Sequence, residues 1–195
     1  MLNPEFHDFY NRWRAKANDY QGEDIHTAFD RFFTLFVIYN RLYAEATFDL
    51  VRNNQEHLDP RRSFPDGTAA KRYVGKYLGK ANLIHSLEED RPCAEAIQAV
   101  MRLLAGPVDG RQFAIVLHKI DGSPQRGEDQ RLLQKFSSRS DDVRAEAVLE
   151  FLYAVRVNLF HGHKTFHPVQ LVVMKPANVL LLRTIDILFE RLNRP

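Results

Sequence analysis

Cysteine is almost missing from this 195-residue chain. Cys93 is alone, so no internal disulfide can form, and a reducing cytoplasm is the expected compartment. A strong charge of either sign is also missing. The formal net charge is +2, too small for a protein that coats nucleic acid, although a local basic patch is compatible with it. Long apolar runs are absent as well. The longest, around Phe32–Tyr39, falls far short of the roughly 20 residues of a membrane-spanning helix. The first twenty residues are polar with scattered aromatics and lack the pattern of a secretory signal, so a soluble protein without a membrane partner is expected. Neither a glycine-rich phosphate loop nor a GxSxG nucleophile turn occurs, and no internal repeat is visible. Cys93, in an apolar helical context, reads as core and not as a nucleophile.

Helical periodicity dominates what is present. Asn3 can cap a first helix to Tyr20, with Pro4 suited to its first position, and Phe6, Phe9, Tyr10 and Trp13 at helical spacing. Residues 1–22 are expected to form an N-terminal helical arm on a single domain, 1–195. Asp24 caps a long helix to about Asn53 whose apolar residues (Phe29, Phe32, Phe33, Phe36, Tyr43 and Leu50 on one side; Leu35, Ile38, Tyr39 and Leu42 on another) nearly encircle it. Such a helix is central in a bundle or covered by a partner. The Pro-containing stretch 54–67 reads as a loop. Shorter helices follow over Thr68–Leu78 (weakened by Gly75 and Gly79), from Lys80 towards Glu89, and after Pro92 to Ala105. Arg111–Ile120 reads equally as helical or extended, and Asp121–Glu128 as a mobile loop. Ser140 opens the clearest helix, with Val143, Ala147, Val148, Phe151, Leu152, Val155 and Leu159 on one face and Gly162 at its end. Val169–Met174 has the composition of a short strand with nothing obvious to pair with. Ala177–Leu192 is the last helix, with Pro176 expected to start or kink it. The whole is an all-α antiparallel helical bundle, with 140–193 as a helical hairpin.

Reactive groups concentrate at one place, Arg156-Val157-Asn158-Leu159-Phe160-His161-Gly162-His163-Lys164. Arginine–histidine pairs with four to six intervening residues also occur at Arg52–His57 and Arg111–His118, so spacing alone does not select the pair. Context does, because Arg156–His161 leaves a strongly amphipathic helix and runs into Phe-His-Gly. The segment RVNLFHGHK, followed by an apolar helix, resembles the HEPN family of helical-bundle proteins, which carry an arginine, four to six residues, then a histidine between their last two major helices. The resemblance covers Ser140 to Leu192 and implies a metal-independent endoribonuclease, often a toxin of a toxin–antitoxin pair or an antiviral-defence effector, acting on RNA as a homodimer. It also implies a possible cognate antitoxin or sensor partner. The site residues it carries are Arg156 and His161 as catalytic, with Asn158, His163 and Lys164 in support. The place two residues after His161, a tyrosine in family toxins paired with a nucleotidyltransferase antitoxin, is here His163, which does not support tyrosine modification.

The chemistry is consistent with these residue types. Transesterification of RNA needs a base for the 2′-hydroxyl, an acid for the leaving 5′-oxygen, and donors for the phosphorane. Histidine titrates near neutrality and arginine presents a fork that matches phosphate oxygens. The products would carry a 2′,3′-cyclic phosphate. On a continuous helix, residues five apart diverge by about 140° and ~7.5 Å. Convergence therefore requires the helix to end near Phe160 or a second subunit to supply half the site. The plainer readings are a helix-capping role for His161 and an ion pair of Arg156 with Glu146, Glu150 or a neighbouring acid. Lys71, Arg72, Lys76 and Lys80, interleaved with Tyr73 and Tyr77, can track an RNA backbone while the rings stack on bases, or can simply form a solvated face. His161, His163 and His167 lack a nearby carboxylate or cysteine, so no metal and no cofactor is expected. The rival to the nuclease is a non-catalytic helical module that binds RNA or another ligand.

Overall fold

The computed structural model describes residues 2–59, 61–108, 110–118, 120–160 and 167–194, with the side chain of Phe160 excepted. The architecture is all-α. Helices α1 (Pro4–Asp19), α2 (Ile25–Arg52), α3 (Asp66–Thr68), a π turn (Ala69–Tyr73), α4 (Val74–Leu78), α5 (Lys80–Glu88), α6 (Arg91–Ala105), α7 (Arg126–Phe136), α8 (Asp141–Phe160) and α9 (Leu171–Asn193) follow in order, with a 3-10 turn at Pro168–Gln170 before α9. Among the described residues there is no strand, only isolated bridges at Val108–Arg111 and Leu117–Pro124. No described helix is long and apolar enough to cross a membrane.

The helix starts follow from local chemistry. Asn3 Oδ1 accepts from Phe6 N at 2.8 Å, Asp24 Oδ1 from Thr27 N at 3.1 Å and Asp90 Oδ1 from Cys93 N at 3.0 Å, each satisfying an amide that the first turn leaves open. Gly79 ends α4 at a φ of 77°, a conformation that costs glycine little.

Helix α2 is the central helix. Phe32, Leu35, Phe36, Ile38 and Leu42 are fully buried, and Phe29, Tyr39 and Tyr43 nearly so. Each such side chain contributes roughly 1.5–3 kcal/mol by leaving water. Its principal neighbours are α9 and α1. The chain itself therefore covers most of the apolar girth of α2, leaving Phe33 and Val37 half-buried and Phe48 exposed. Helix α1 is no free arm either. Phe6, Tyr10 and Ala17 join the common core, Tyr10 stacks on Phe189 of α9 at 3.6 Å, and Arg14 and the Tyr10 hydroxyl both reach Asp186. Core hydroxyls close on their own helices: Thr47 donates to the Tyr43 carbonyl and Thr184 to the Leu180 carbonyl, both at 2.7 Å.

Four expectations change. Val169–Met174 is not a strand. It spans the 3-10 turn and the start of α9, where helical hydrogen bonds satisfy a backbone that has no strand to pair with. The last helix begins at Leu171 and not at Ala177, so Pro176 lies inside α9, the place that the kink alternative required. The loop read over Asp121–Glu128 stops at Gln125, because α7 begins at Arg126; only Asp129, Leu132 and Phe136 of α7 are buried, too sparse an apolar stripe to announce a helix. The third helical stretch begins at Asp66 and contains a π turn. The turn is matched by a hydroxyl that arrives from α2. Val74 N bonds back to the Ala69 carbonyl, five residues away, and the Ala70 carbonyl thus bypassed accepts from the buried Tyr39 hydroxyl at 2.5 Å. Tyr39→Phe should destabilise the fold by about 1–3 kcal/mol, the cost of a buried acceptor left unsatisfied. Urea denaturation measures this as a lower midpoint with little change in slope.

Candidate functional site

Arg156 lies in the last two turns of α8, its side chain 21% exposed. Its guanidinium carbon is 5.8 Å from the Phe36 ring centre and 5.7 Å from that of Tyr153, one turn earlier. Its Nη2 is 3.6 Å from Asp66 Oδ2, at the start of α3. The ion-pair partner is therefore neither glutamate of α8. Glu146 takes Lys80 at 2.5 Å and Glu150 takes Lys135 at 2.6 Å. Asp66 is the hub of a four-residue cluster. Its Oδ1 accepts from the Tyr43 hydroxyl and its Oδ2 from the Tyr153 hydroxyl at 3.2 Å, while Asn40 Oδ1 lies 2.7 Å from the Tyr43 oxygen. Burial, and then the hydrogen bond to Asp66, push the Tyr43 phenol far above its usual range; burial and the Asp66 charge raise Tyr153 as well. Gly67 fits because a Cβ there would stand 3.0 Å from the Tyr153 hydroxyl.

Asn158 points elsewhere. It is buried, and its amide nitrogen donates to the Ile115 carbonyl at 2.7 Å. Together with Asp129, whose Oδ1 accepts from Ile115 N and Val116 N, it anchors the irregular segment that the sequence left undecided. Its donor is thus committed to the backbone and not directed at a phosphate. His161, His163 and Lys164 lie outside the described residues. His167 Nδ1 accepts from Val169 N at 3.2 Å, capping the 3-10 turn. Among the described residues no group of three histidine, cysteine or carboxylate side chains could hold a metal.

In each competing pair one member already has a partner of its own. Arg52 Nη2 bonds to Asp49 at 2.7 Å and His57 is exposed in the following loop, while His118 pairs with Asp121 at 2.9 Å. The basic stretch is similarly divided. Arg72 and Lys76 both converge on Glu56, at 3.1 and 2.9 Å, and Lys80 is taken by Glu146. Tyr73 is buried at 6% exposure, so its ring cannot stack on a base; Tyr77 is partly buried and donates to Asp49 at 3.0 Å. Lys71 differs. Its ammonium has no acid partner among the described residues and lies 5.1 Å from the centre of the Tyr153 ring, the ring that Arg156 also flanks. Beside it opens a cleft of about 450 Å³ lined by Lys71, Arg131, Lys135, Tyr153, Val157 and Asn158. Arg131 and Lys135 are already neutralised by Glu128 and Glu150.

Sequence reasoning missed Asp66, Tyr43 and Tyr153 as site residues. A signal existed, since a tyrosine on a core-facing stripe needs a partner for its hydroxyl, but the stripe does not say which.

Several phenols share the upward displacement. Burial first, then the carboxylates of Asp186 and Asp49 respectively, raise Tyr10 and Tyr77 from 10.0 to about 12, and burial raises Cys93 from 9.0 to about 12. Groups raised in the folded state hold protons that the unfolded chain releases, so their contribution is intact below the unfolded values and is lost as pH climbs through the folded ones. Thermal stability should accordingly fall between about pH 9 and pH 12, and tyrosinate absorbance should rise together with loss of helix.

The fold and cluster together define a helical bundle with an arginine-centred polar site at the end of its penultimate helix. No protein-family model, curated protein or solved structure matches the chain.

Proposed function

We propose that this protein is a metal-independent endoribonuclease of HEPN type, in which Arg156 clamps the scissile phosphate and His161 exchanges the protons. The observation that carries the reading is that Arg156, the arginine of RVNLFHGHK, and the ammonium of Lys71, which has no acid partner among the described residues, lie against one ring, that of Tyr153, and that Lys71 and this ring line a cleft. Two cations at one ring suit a polyanion, with the guanidinium offering the bidentate geometry and lysine a point charge. Asp66 acts as a positioning residue that holds the guanidinium beside the Tyr153 ring until phosphate competes for it. Acid and base are two roles and the motif supplies one histidine at the expected place, so a two-fold homodimer with the motifs facing one another completes the count. The substrate is single-stranded or looped RNA, whose 2′-hydroxyl is free to attack. The decisive experiment is incubation of purified protein with total RNA in EDTA beside His161→Ala; cleavage that needs magnesium or manganese would refute the mechanism.

A second reading has its own support. The contacts of Arg156 with Asp66 and two rings are also those of an arginine that merely ties α8 to α3, which suits a non-catalytic module that binds RNA. RNA retained in gel shifts by wild type, with no cleavage at any protein concentration, would favour it.

A further inference from the structure

Away from that cluster, a cavity of about 560 Å³ opens between α2, the start of α6 and α9, within the roughly 300–1,000 Å³ of small-molecule sites. None of its lining residues belongs to the Asp66–Arg156 cluster. Three cations line it: Arg31 from α2, and Lys175 and Arg183 two turns apart on α9. Ion pairs elsewhere in this chain are common, yet among the described residues none of these three has a hydrogen bond or ion pair. The Nε atoms of Arg31 and Arg183 are buried without a partner, as is Oδ1 of Asn178, whose amide nitrogen is held by the Ala28 carbonyl at 2.8 Å. A buried donor without a partner is costly, and a buried guanidinium more so. Burial, and next the charge of Arg14, lower the Arg31 pKa, so its cationic form is held at a disadvantage that an anion would relieve.

Three acids also line the cavity. Asp186 is engaged by Arg14 at 3.1 Å and by the Tyr10 hydroxyl at 3.0 Å, and Asp90 caps α6; Glu23 is exposed. Two of the three negative charges are thus already engaged; the charge of Arg183 reaches Asp90 and helps to lower its carboxyl, but none of the three cations is held in an ion pair among the described residues. Between the cations the wall is apolar, formed by Ala28, Pro92, Leu171, Val179 and Leu182.

We infer that this cavity is a binding site for a small phosphomonoester of nucleotide size, its phosphate held by Arg31, Arg183 and Lys175 and its organic part laid against the apolar wall. Arginine forks match phosphate oxygens, and Asn178 Oδ1 is an acceptor for a donor on the ligand.

Calorimetry and thermal unfolding of the whole protein with AMP, inorganic phosphate and adenosine test this, independently of any nuclease activity. AMP should bind in a 1:1 ratio and raise the melting temperature, with inorganic phosphate weaker and adenosine without effect. Arg31→Gln and Arg183→Gln should each weaken AMP at least tenfold. Without ligand Arg31→Gln should not melt lower than wild type, because it loses no internal ion pair, and Arg183→Gln should melt at most slightly lower, having given up only the attraction to Asp90. Arg102→Gln, on the exposed side of α6, should bind AMP normally. The site is refuted if neither AMP nor phosphate binds saturably in the millimolar range, if both arginine variants bind AMP as wild type does, or if adenosine binds as well as AMP.

Discussion

Arg156→Ala and His161→Ala should each reduce RNA cleavage by roughly 10²–10⁴-fold, the range for loss of a positioned acid–base group or of a donor to a developing oxyanion. The losses should occur in EDTA as much as in magnesium, and the wild-type products should end in 2′,3′-cyclic phosphate and free 5′-hydroxyl. His57→Ala should retain most activity, since Arg52, its sequence rival for the arginine role, is already bound to Asp49. If His57→Ala kills cleavage and His161→Ala does not, the assignment of the pair is wrong. Asn158→Ala should lower stability more than activity, because its donor holds the Ile115 carbonyl. Lys71→Ala should weaken RNA binding and flatten its salt dependence by about one phosphate contact. Mixing His161→Ala subunits with wild type should lower activity by more than dilution if each cleft is shared. A fully active monomer would refute the shared cleft, though not the nuclease.

Much of the bundle could be read from the chain because its signals are local. Asn3, Asp24 and the Asp90-Arg91-Pro92 start are short-range caps, and the encircling apolar residues of α2 demanded a central position, which the structure gives it. The site was half legible. The arginine came from its context and the family resemblance, its helix from periodicity, and the cleft-side lysine from residue type and spacing. What escaped was everything set by contacts distant in sequence. Asp66 sits after a proline-rich loop where it reads as a turn residue, yet it receives Tyr43 from α2 and both Tyr153 and Arg156 from α8. The arrest of Arg72 and Lys76 by Glu56, and of Lys80 by Glu146, is equally invisible to a count of basic residues. The π turn escaped because the tyrosine hydroxyl that matches it arrives from α2, outside the turn. Half-buried Arg31 and Arg183 read as solvated charges on helix surfaces until their neighbours are known.

Asp66 makes the second large prediction, because three groups depend on one carboxylate. Asp66→Ala removes the acceptor of the Tyr153 phenol, one of the two acceptors beside the Tyr43 phenol and a counter-charge of Arg156 at once. The cost should be about 2–4 kcal/mol, built from the penalties of partly buried donors left without acceptors and discounted because the carboxylate side chain is 41% exposed. Asp66→Asn is the informative companion. It keeps an oxygen for one hydroxyl, so the loss should be smaller, about 1–2 kcal/mol. It also removes the charge that helps to hold the Tyr43 and Tyr153 phenols protonated, so their ionisation should move down towards the ordinary range, while that of Tyr10, raised by burial and Asp186, stays where it is. Absorbance titration at 295 nm reads this, with Tyr153→Phe used to separate the two phenols. For cleavage, a positioning role predicts that Asp66→Asn lowers turnover while leaving the pH profile set by His161 unchanged. If instead Asp66 carries the proton, the asparagine variant should remove one limb of that profile. If Asp66→Asn leaves stability, tyrosine ionisation and RNA cleavage all at wild-type values, the cluster does not hold Arg156 in place, and the arginine must be positioned from beyond α3.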